Sequence, residues 1–325
     1  MNESVLSFKD KYFGDKNFYK MTLTIAIPII IQNLLTNLVS MADNIMVGQL
    51  GTNQMSGVAI INQLFFVFNL LVFGGMSGAG LFSAQYFGQK NHNGVRDVFR
   101  MKILIGITII AISLSVMIFL HEPLINMFLH EGSSSGNIQE TFNYAKNYLY
   151  IMVIGIAPFV ISNCYNTTLK ESGQTVVPMK AGVLAVVFDI VLNYIFIFGK
   201  LGFPAMGVVG AAIATVISRF VECGYLVIYT HIHSNDYPFI KHCYRTLKVP
   251  GSLVKKIIVT GAPLMLNEFL WAGGLTLQTQ ALSTKGLATV GGLNICNTIG
   301  NISNCIFVTM GTTIAIVVGQ LLGAG

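Results

Sequence analysis

Asp43 is an acid inside the run MTLTIAIPIIIQNLLTNLVSMADNIMVGQL, residues 21–50, which is long enough to cross a bilayer, since about 20 apolar residues suffice. A carboxylate there costs at least ~2.5–3.5 kcal/mol on insertion scales, so it counts as a functional group by default. Asn33, Asn37, Ser40 and Asn44 recur at steps of four, three and four, beside a stripe of Gln32, Thr36 and Asp43. At 3.6 residues per turn the two rows form one polar helix face. Asp189 opens the apolar run DIVLNYIFIFG, with Asn193 one turn later on the same face. An acid and an amide at that spacing supply oxygens for an ion or a proton site, and a buried Asp that only ties helices together is the plainer alternative.

Other ionisable groups in apolar segments are Glu268, Arg219 and Glu222. Arg219 and Glu222 are three apart, share a helix face and read as a neutralising ion pair. Trp271 follows Glu268 by three residues. An indole beside an acid in a cavity suits an aromatic cation, or it simply packs against a neighbouring helix. Asn294, Asn297, Asn301 and Asn304 form another stripe that lines a pore or joins helices. His231, His233, His242 and Cys243 lack regular metal-ligand spacing, and no metal centre is read from them. The sequence has no G-x-x-x-x-G-K-[ST], H-E-x-x-H or nucleophile elbow, which argues against an ATPase, an intramembrane protease or a lipase.

The elements that must carry these residues are membrane helices. Hydrophobic residues make up 53% of the 325-residue chain and charged residues 10%, the composition of an all-α, polytopic membrane protein. Eight spans are expected, near 21–47, 56–87, 99–120, 144–169, 178–199, 205–231, 253–283 and 290–322. The net charge of +6 would hint at nucleic acid in a soluble protein, but its placement explains it better. Counting loops and flanks, 15 Lys and Arg fall on the side of the N-terminus and only Lys146, Lys200 and Lys285 on the other. That asymmetry places the N-terminus in the cytoplasm, in a multi-pass inner or plasma membrane protein. No small-residue cleavage site follows the first apolar run, so a removed signal peptide is not expected. The five cysteines show no C-x-x-C pairing and imply no disulfide.

The chain also repeats itself. Shifted by 235 residues, Lys20–Lys90 falls on Lys255–Gly325 with ten identities in 71 pairs. Pro28 meets Pro263, Gly57 meets Gly292, Asn62 meets Asn297, Asn69 meets Asn304, Gln85 meets Gln320 and Gly88 meets Gly323. The matched Pro, Gly, Asn and Gln carry the repeat, because chance pairing of Leu with Ile does not produce them. Six spans separate the copies, so both face the same way, a known transporter plan. The expected organisation is a cytoplasmic segment 1–20, a six-helix lobe 21–231, an inter-lobe loop 232–252 and the first two helices of a second lobe at 253–325. On this reading eight of twelve helices are present and the chain is a C-terminally truncated version of a twelve-helix protein. The repeat sets Asn33 against Glu268 and Asp43 against Gln278, so the lobes place their acids differently.

MADNIMVGQLGTNQMSGVA, NTTLKESGQTVVPM, DIVLNYIFIFG, FPAMGVVGAAIATVISR and VGQLLGAG together resemble bacterial members of the multidrug and toxic compound extrusion family. The resemblance runs over essentially the whole chain. It implies a two-lobe helical bundle and secondary active export of cationic amphipathic compounds, in exchange for Na+ or H+, by rocking of the lobes. It implies no enzyme activity, no cofactor beyond the coupling ion, no nucleic acid and no obligate protein partner. By position, Asp43 matches the family's first-helix acid, and Asp189 and Asn193 match its span-five polar pair. Sodium, where used, would sit at these three. Asn166 joins the expected ion-coupling residues, and Asn33, Asn37, Tyr148, Glu268, Trp271 and Asn297 are the expected cavity residues. Glu268 departs from members whose span-seven acid lies about one turn further from the proline. The alternatives are a flippase of lipid-linked precursors from the same superfamily, whose phosphate cargo needs bases, and a non-transporting receptor or scaffold.

Overall fold

Three helices begin at polar side chains that take up free backbone N–H groups, as helix starts require. Asp15 accepts from Phe18 N at 2.7 Å, Asn91 from Gly94 N at 3.0 Å, and Asn137 from Gln139 N and Glu140 N at 3.1 and 3.4 Å. The structure, a computed structural model, describes residues 14–129, 137–283 and 287–325, without the side chains of residues 17, 275–277, 279–299, 301 and 302. Among the described residues it is helical with no strand. The helices are α1 (Lys16–Gly48), α2 (Thr52–Gly88), α3 (His92–Phe119), α4 (His121–Asn126), α5 (Ile138–Ile154), α6 (Ile156–Glu171), α7 (Val176–Phe198), α8 (Val208–Ile232), α9 (Gly251–Ser283) and α10 (Leu287–Ala324).

Six of these, α1, α2, α3, α7, α8 and residues 303–324 of α10, are long and apolar enough to cross a membrane. The pair α5 and α6 makes a seventh, bent by 47°. The continuous span expected at 144–169 is therefore broken. Pro158 has no N–H to give the Ile154 carbonyl, so the ladder fails at Gly155. Gly155 in turn backs onto Arg219, where a methyl group would lie 3.2 Å from Cδ. Among the described residues, α9 is not one of these. Leu23, Ile27, Ile107, Ile112, Val187 and Ile228 stand exposed on the outer faces. Lipid, as apolar as they are, covers such side chains at no penalty.

The central rod is α2, which packs on α3, α5 and α6 on one side and on α9 and α10 on the other. Its buried Ile61, Phe65, Phe68, Val72 and Met76 join Leu149 and Met152 of α5 and Val160 and Tyr165 of α6 in the main core. Gly57 lets α2 and α5 come together: a methyl there would lie 3.0 Å from both Ala145 N and Thr141 O. Gly57→Val is expected to cost about 1–3 kcal/mol of stability in detergent unfolding, the usual range for overpacking. A loss within error of zero would show that α5 yields freely.

Helices α1 and α2 also touch α10 and α9. Asn33 on α1 donates to Thr309 Oγ1 on α10 at 2.8 Å, and Gly78 on α2 packs against Gly261 on α9. The segment between α8 and α9 docks on α3, where Arg100 donates to the His242 and Cys243 carbonyls at 3.0 and 2.9 Å.

Candidate functional site

Helices α1 and α7 run side by side in one direction. Gln32 packs on Gly182, where a methyl group would lie 3.1 Å from its amide nitrogen. Eleven residues further along each helix, Asp43 meets Asn193. Eleven residues is close to three helical turns, so the two contacts lie on the same faces. The Asn193 Nδ2 donates to Asp43 Oδ1 at 2.7 Å and to Asp189 Oδ2 at 3.1 Å. Ser218 on α8 donates to Asp189 Oδ1 at 3.1 Å. One amide thus bridges two carboxyl groups from two helices, and a third helix supplies a hydroxyl.

The Asn193 Oδ1 is buried and has no partner among the described residues. The shared Asn193 amide brings the Asp43 and Asp189 carboxyls near one another. Two full negative charges sharing one amide donor repel each other, and a proton or a cation between them relieves that repulsion. Two carboxyls and an orphaned amide oxygen are the donor set of a hard cation, which takes oxygen ligands. A single proton shared by the carboxyls satisfies the same geometry.

Further groups surround the trio. Tyr148 of α5 is buried, 5% exposed. Arg219 lies between the rings of Phe65 and Phe159, its guanidinium carbon 5.3 and 5.0 Å from their centroids. No ion pair forms between Arg219 and Glu222, and Arg219 Nη1 has no hydrogen-bond partner among the described residues. The expected pair fails because the aromatic cleft between α2 and α6 holds the guanidinium.

A cavity of about 400 Å³ opens between α2 and α6 on one side and α9 and α10 on the other. Its walls are mainly apolar, with Phe73, Met76, Leu264 and Ile316 among them, and Glu268 and Lys170 face it from opposite sides. Of the expected cavity residues, Glu268 lines this space. Trp271 does not: it is 53% exposed and is no part of the cavity wall. Asn33 bonds to Thr309 across the cleft, and Asn37 is exposed. The Asn166 Oδ1 is buried with no partner among the described residues, and no hydrogen bond joins it to the trio. The side chain of Asn297 lies outside the described residues. His231 stacks on Tyr244 and His233 on Tyr229.

Two groups are not legible in the sequence. Ser218 is an ordinary serine in an apolar helix, and nothing but the packing of α7 on α8 brings it to Asp189. Lys102 reads as one more residue of the basic flank, yet it is fully buried. Its Nζ donates to Thr167 and Thr168 at 3.0 and 3.2 Å and to both Glu171 oxygens at 2.8 and 2.5 Å. A lysine inside span 99–120 and an acid just past span 144–169 are the available signal.

Known proteins resemble this chain along most of its length. The family model described as MatE matches residues 28–195, more than half of the chain. A probable multidrug resistance protein NorM of Thermotoga maritima is 29% identical over 306 residues, 94% of this chain and 64% of that protein. The NorM of Halalkalibacterium halodurans is 29% identical over 312 residues, 94% of this chain and 65% of that one. This chain thus spans just under two thirds of the length of these relatives. Among solved structures, an outward-facing multidrug resistance MATE family transporter of the MOP superfamily superposes with a TM-score of 0.80 at 24% identity, over 96% of this chain and 66% of that one. A mutant of the Vibrio cholerae MATE transporter VcmN gives 0.79 at 18% identity, over 95% and 67%. Those two likenesses speak to the fold. With a family match over more than half its length and a multi-pass helical frame, this chain belongs to the MatE family of membrane transporters.

Proposed function

We propose that this protein is a secondary active multidrug exporter, expelling cationic amphipathic compounds in exchange for sodium ions or protons. One observation carries the reading: the Asn193 amide holds Asp43 and Asp189 together beside an unpartnered buried oxygen. The names of the NorM relatives give the reading its substrate breadth.

Asp43 and Asn33 lie on the same helix. Ion uptake at Asp43 changes how α1 sits on α7, and α1 carries Asn33, which bonds to Thr309 across the cleft. The ion site is therefore joined mechanically to the wall of the cavity. A cation in the cavity meets Glu268, and its apolar body meets Phe73, Met76 and Leu264. The coupling is reciprocal, so substrate that weakens ion binding is itself released by the ion. The excess of Lys and Arg at one end puts the N-terminus in the cytoplasm, with the ion entering from outside. A phosphate-bearing lipid cargo is disfavoured, because the charged groups lining the cavity are Glu171, Glu268 and Lys170, and Glu171 is already paired with Lys102.

The test is a flux measurement. The purified protein is reconstituted in lipid vesicles, and accumulation of ethidium is followed under an imposed sodium or pH gradient. Accumulation under one gradient and none without it is expected. Equal dye uptake with and without each gradient overturns the proposal.

A further inference from the structure

Helices α2 and α10 are copies of one another in the repeat, and they cross near their C-terminal ends. A methyl group on Gly88 would overlap the Gln320 carbonyl oxygen and sit 2.8 Å from its carbon. One on Gly323 would overlap the Gln85 oxygen and sit 2.8 Å from that carbon. Gln85 and Gly88 are the counterparts, 235 residues earlier, of Gln320 and Gly323. The two contacts are therefore one contact made twice across an approximate two-fold axis. A methyl on Gly319 would lie 2.9 Å from the Ala84 methyl, and these two are again counterparts. The axis runs through that point.

Two more observations give the crossing a role. Gln320 Nε2 donates to the Glu171 carbonyl at the end of α6 at 2.7 Å, and the Glu171 side chain is fixed by the buried Lys102. The crossing also closes one end of the cavity: Gly80, Leu81 and Ala84 of α2, with Ala315 and Ile316 of α10, line the cavity up to it. Backbone lies against backbone there, so the seal leaves no room for a side chain to move aside and admit solvent.

We propose that the Gly88–Gln320 and Gly323–Gln85 contacts form a latch that shuts this end of the cavity, parts when the cavity opens to that side, and is registered by the Gln320 bond to Glu171. The proposal rests on the cavity being the transport path, and its test reads access rather than transport, so the two can fail separately. In a protein whose five cysteines are replaced, Ser77→Cys places a reporter on the cavity wall. A membrane-impermeant maleimide is then applied to either face of sealed vesicles.

Slow labelling is expected from the face that carries the crossing. Gly88→Ala or Gly323→Ala should raise that rate about tenfold or more, because the added methyl meets a carbonyl that cannot yield without parting the helices. Gly224→Ala, which has nothing within 4 Å, should leave it unchanged. Ala84→Cys combined with Gly319→Cys supplies the opposite test, because a disulfide between them holds the two helices together. Its oxidation should abolish the remaining labelling from that face, and reduction should restore it. An unchanged rate in both glycine variants, or undiminished labelling of the cross-linked protein, overturns the latch.

Discussion

Asp43→Asn is expected to abolish gradient-driven dye accumulation while the protein inserts in unchanged amount. The substitution keeps an oxygen where Asn193 Nδ2 donates at 2.7 Å, so the contact between α1 and α7 survives. It removes the negative charge and the protonation equilibrium at that position. With one carboxyl left, the proposed ion site no longer offers a cation two acids, and the proposed coupling free energy should vanish. Couplings of this kind amount to about 1–3 kcal/mol, so accumulation should fall on the order of 10–100-fold, to the level of protein-free vesicles. Asn193→Ala is the sharper structural control. It retains both acids but removes their shared donor and the orphaned oxygen, and the hydrogen bonds to charged groups lost there are worth about 1.5–3 kcal/mol each. Undiminished driven accumulation in Asp43→Asn would remove Asp43 from the mechanism.

Lys102→Met carries the largest expected effect on stability. The lysine is 0% exposed, and its ammonium is enclosed by Glu171, Thr167 and Thr168. Removing it leaves a carboxylate that is 8% exposed without its counter-charge. Breaking a buried pair from one side costs about 3–5 kcal/mol, whereas replacing both members by neutral groups is close to neutral. Unfolding in detergent should show Lys102→Met losing most of that amount and Lys102→Met with Glu171→Gln regaining most of it. Should the double variant be no more stable than the single one, the pair is not what holds α3 to α6.

These two sites differ in how legible they are in the sequence. Asp43 announces itself, because an acid in an apolar run of bilayer length has few reasons to be there. Asp189 and Asn193 do so through their spacing, which fixes a shared helix face whatever surrounds it. Lys102 does not. A lysine within a few residues of a span's end is ordinarily drawn to the water interface by its long stem. Only the docking of α6 on α3 turns it inward to Glu171. At Trp271, three residues put the indole near the face of Glu268, yet the indole is 53% exposed and no part of the cavity wall. At Arg219 the same spacing suggests Glu222, and the aromatic rings of two other helices take the guanidinium.

By itself the sequence determined the class and the plan. Composition, span lengths and the 235-residue repeat require a bundle of membrane helices with like-facing copies, because hydrophobic length and helical period are local properties of the chain. The tertiary structure decided the rest. Which acids share one amide, that the fourth span breaks at Gly155, and that Gly88 and Gly323 bring two backbones into contact all depend on which helices lie side by side. That choice is made by surfaces from distant parts of the chain meeting at van der Waals distance, and no local pattern encodes it.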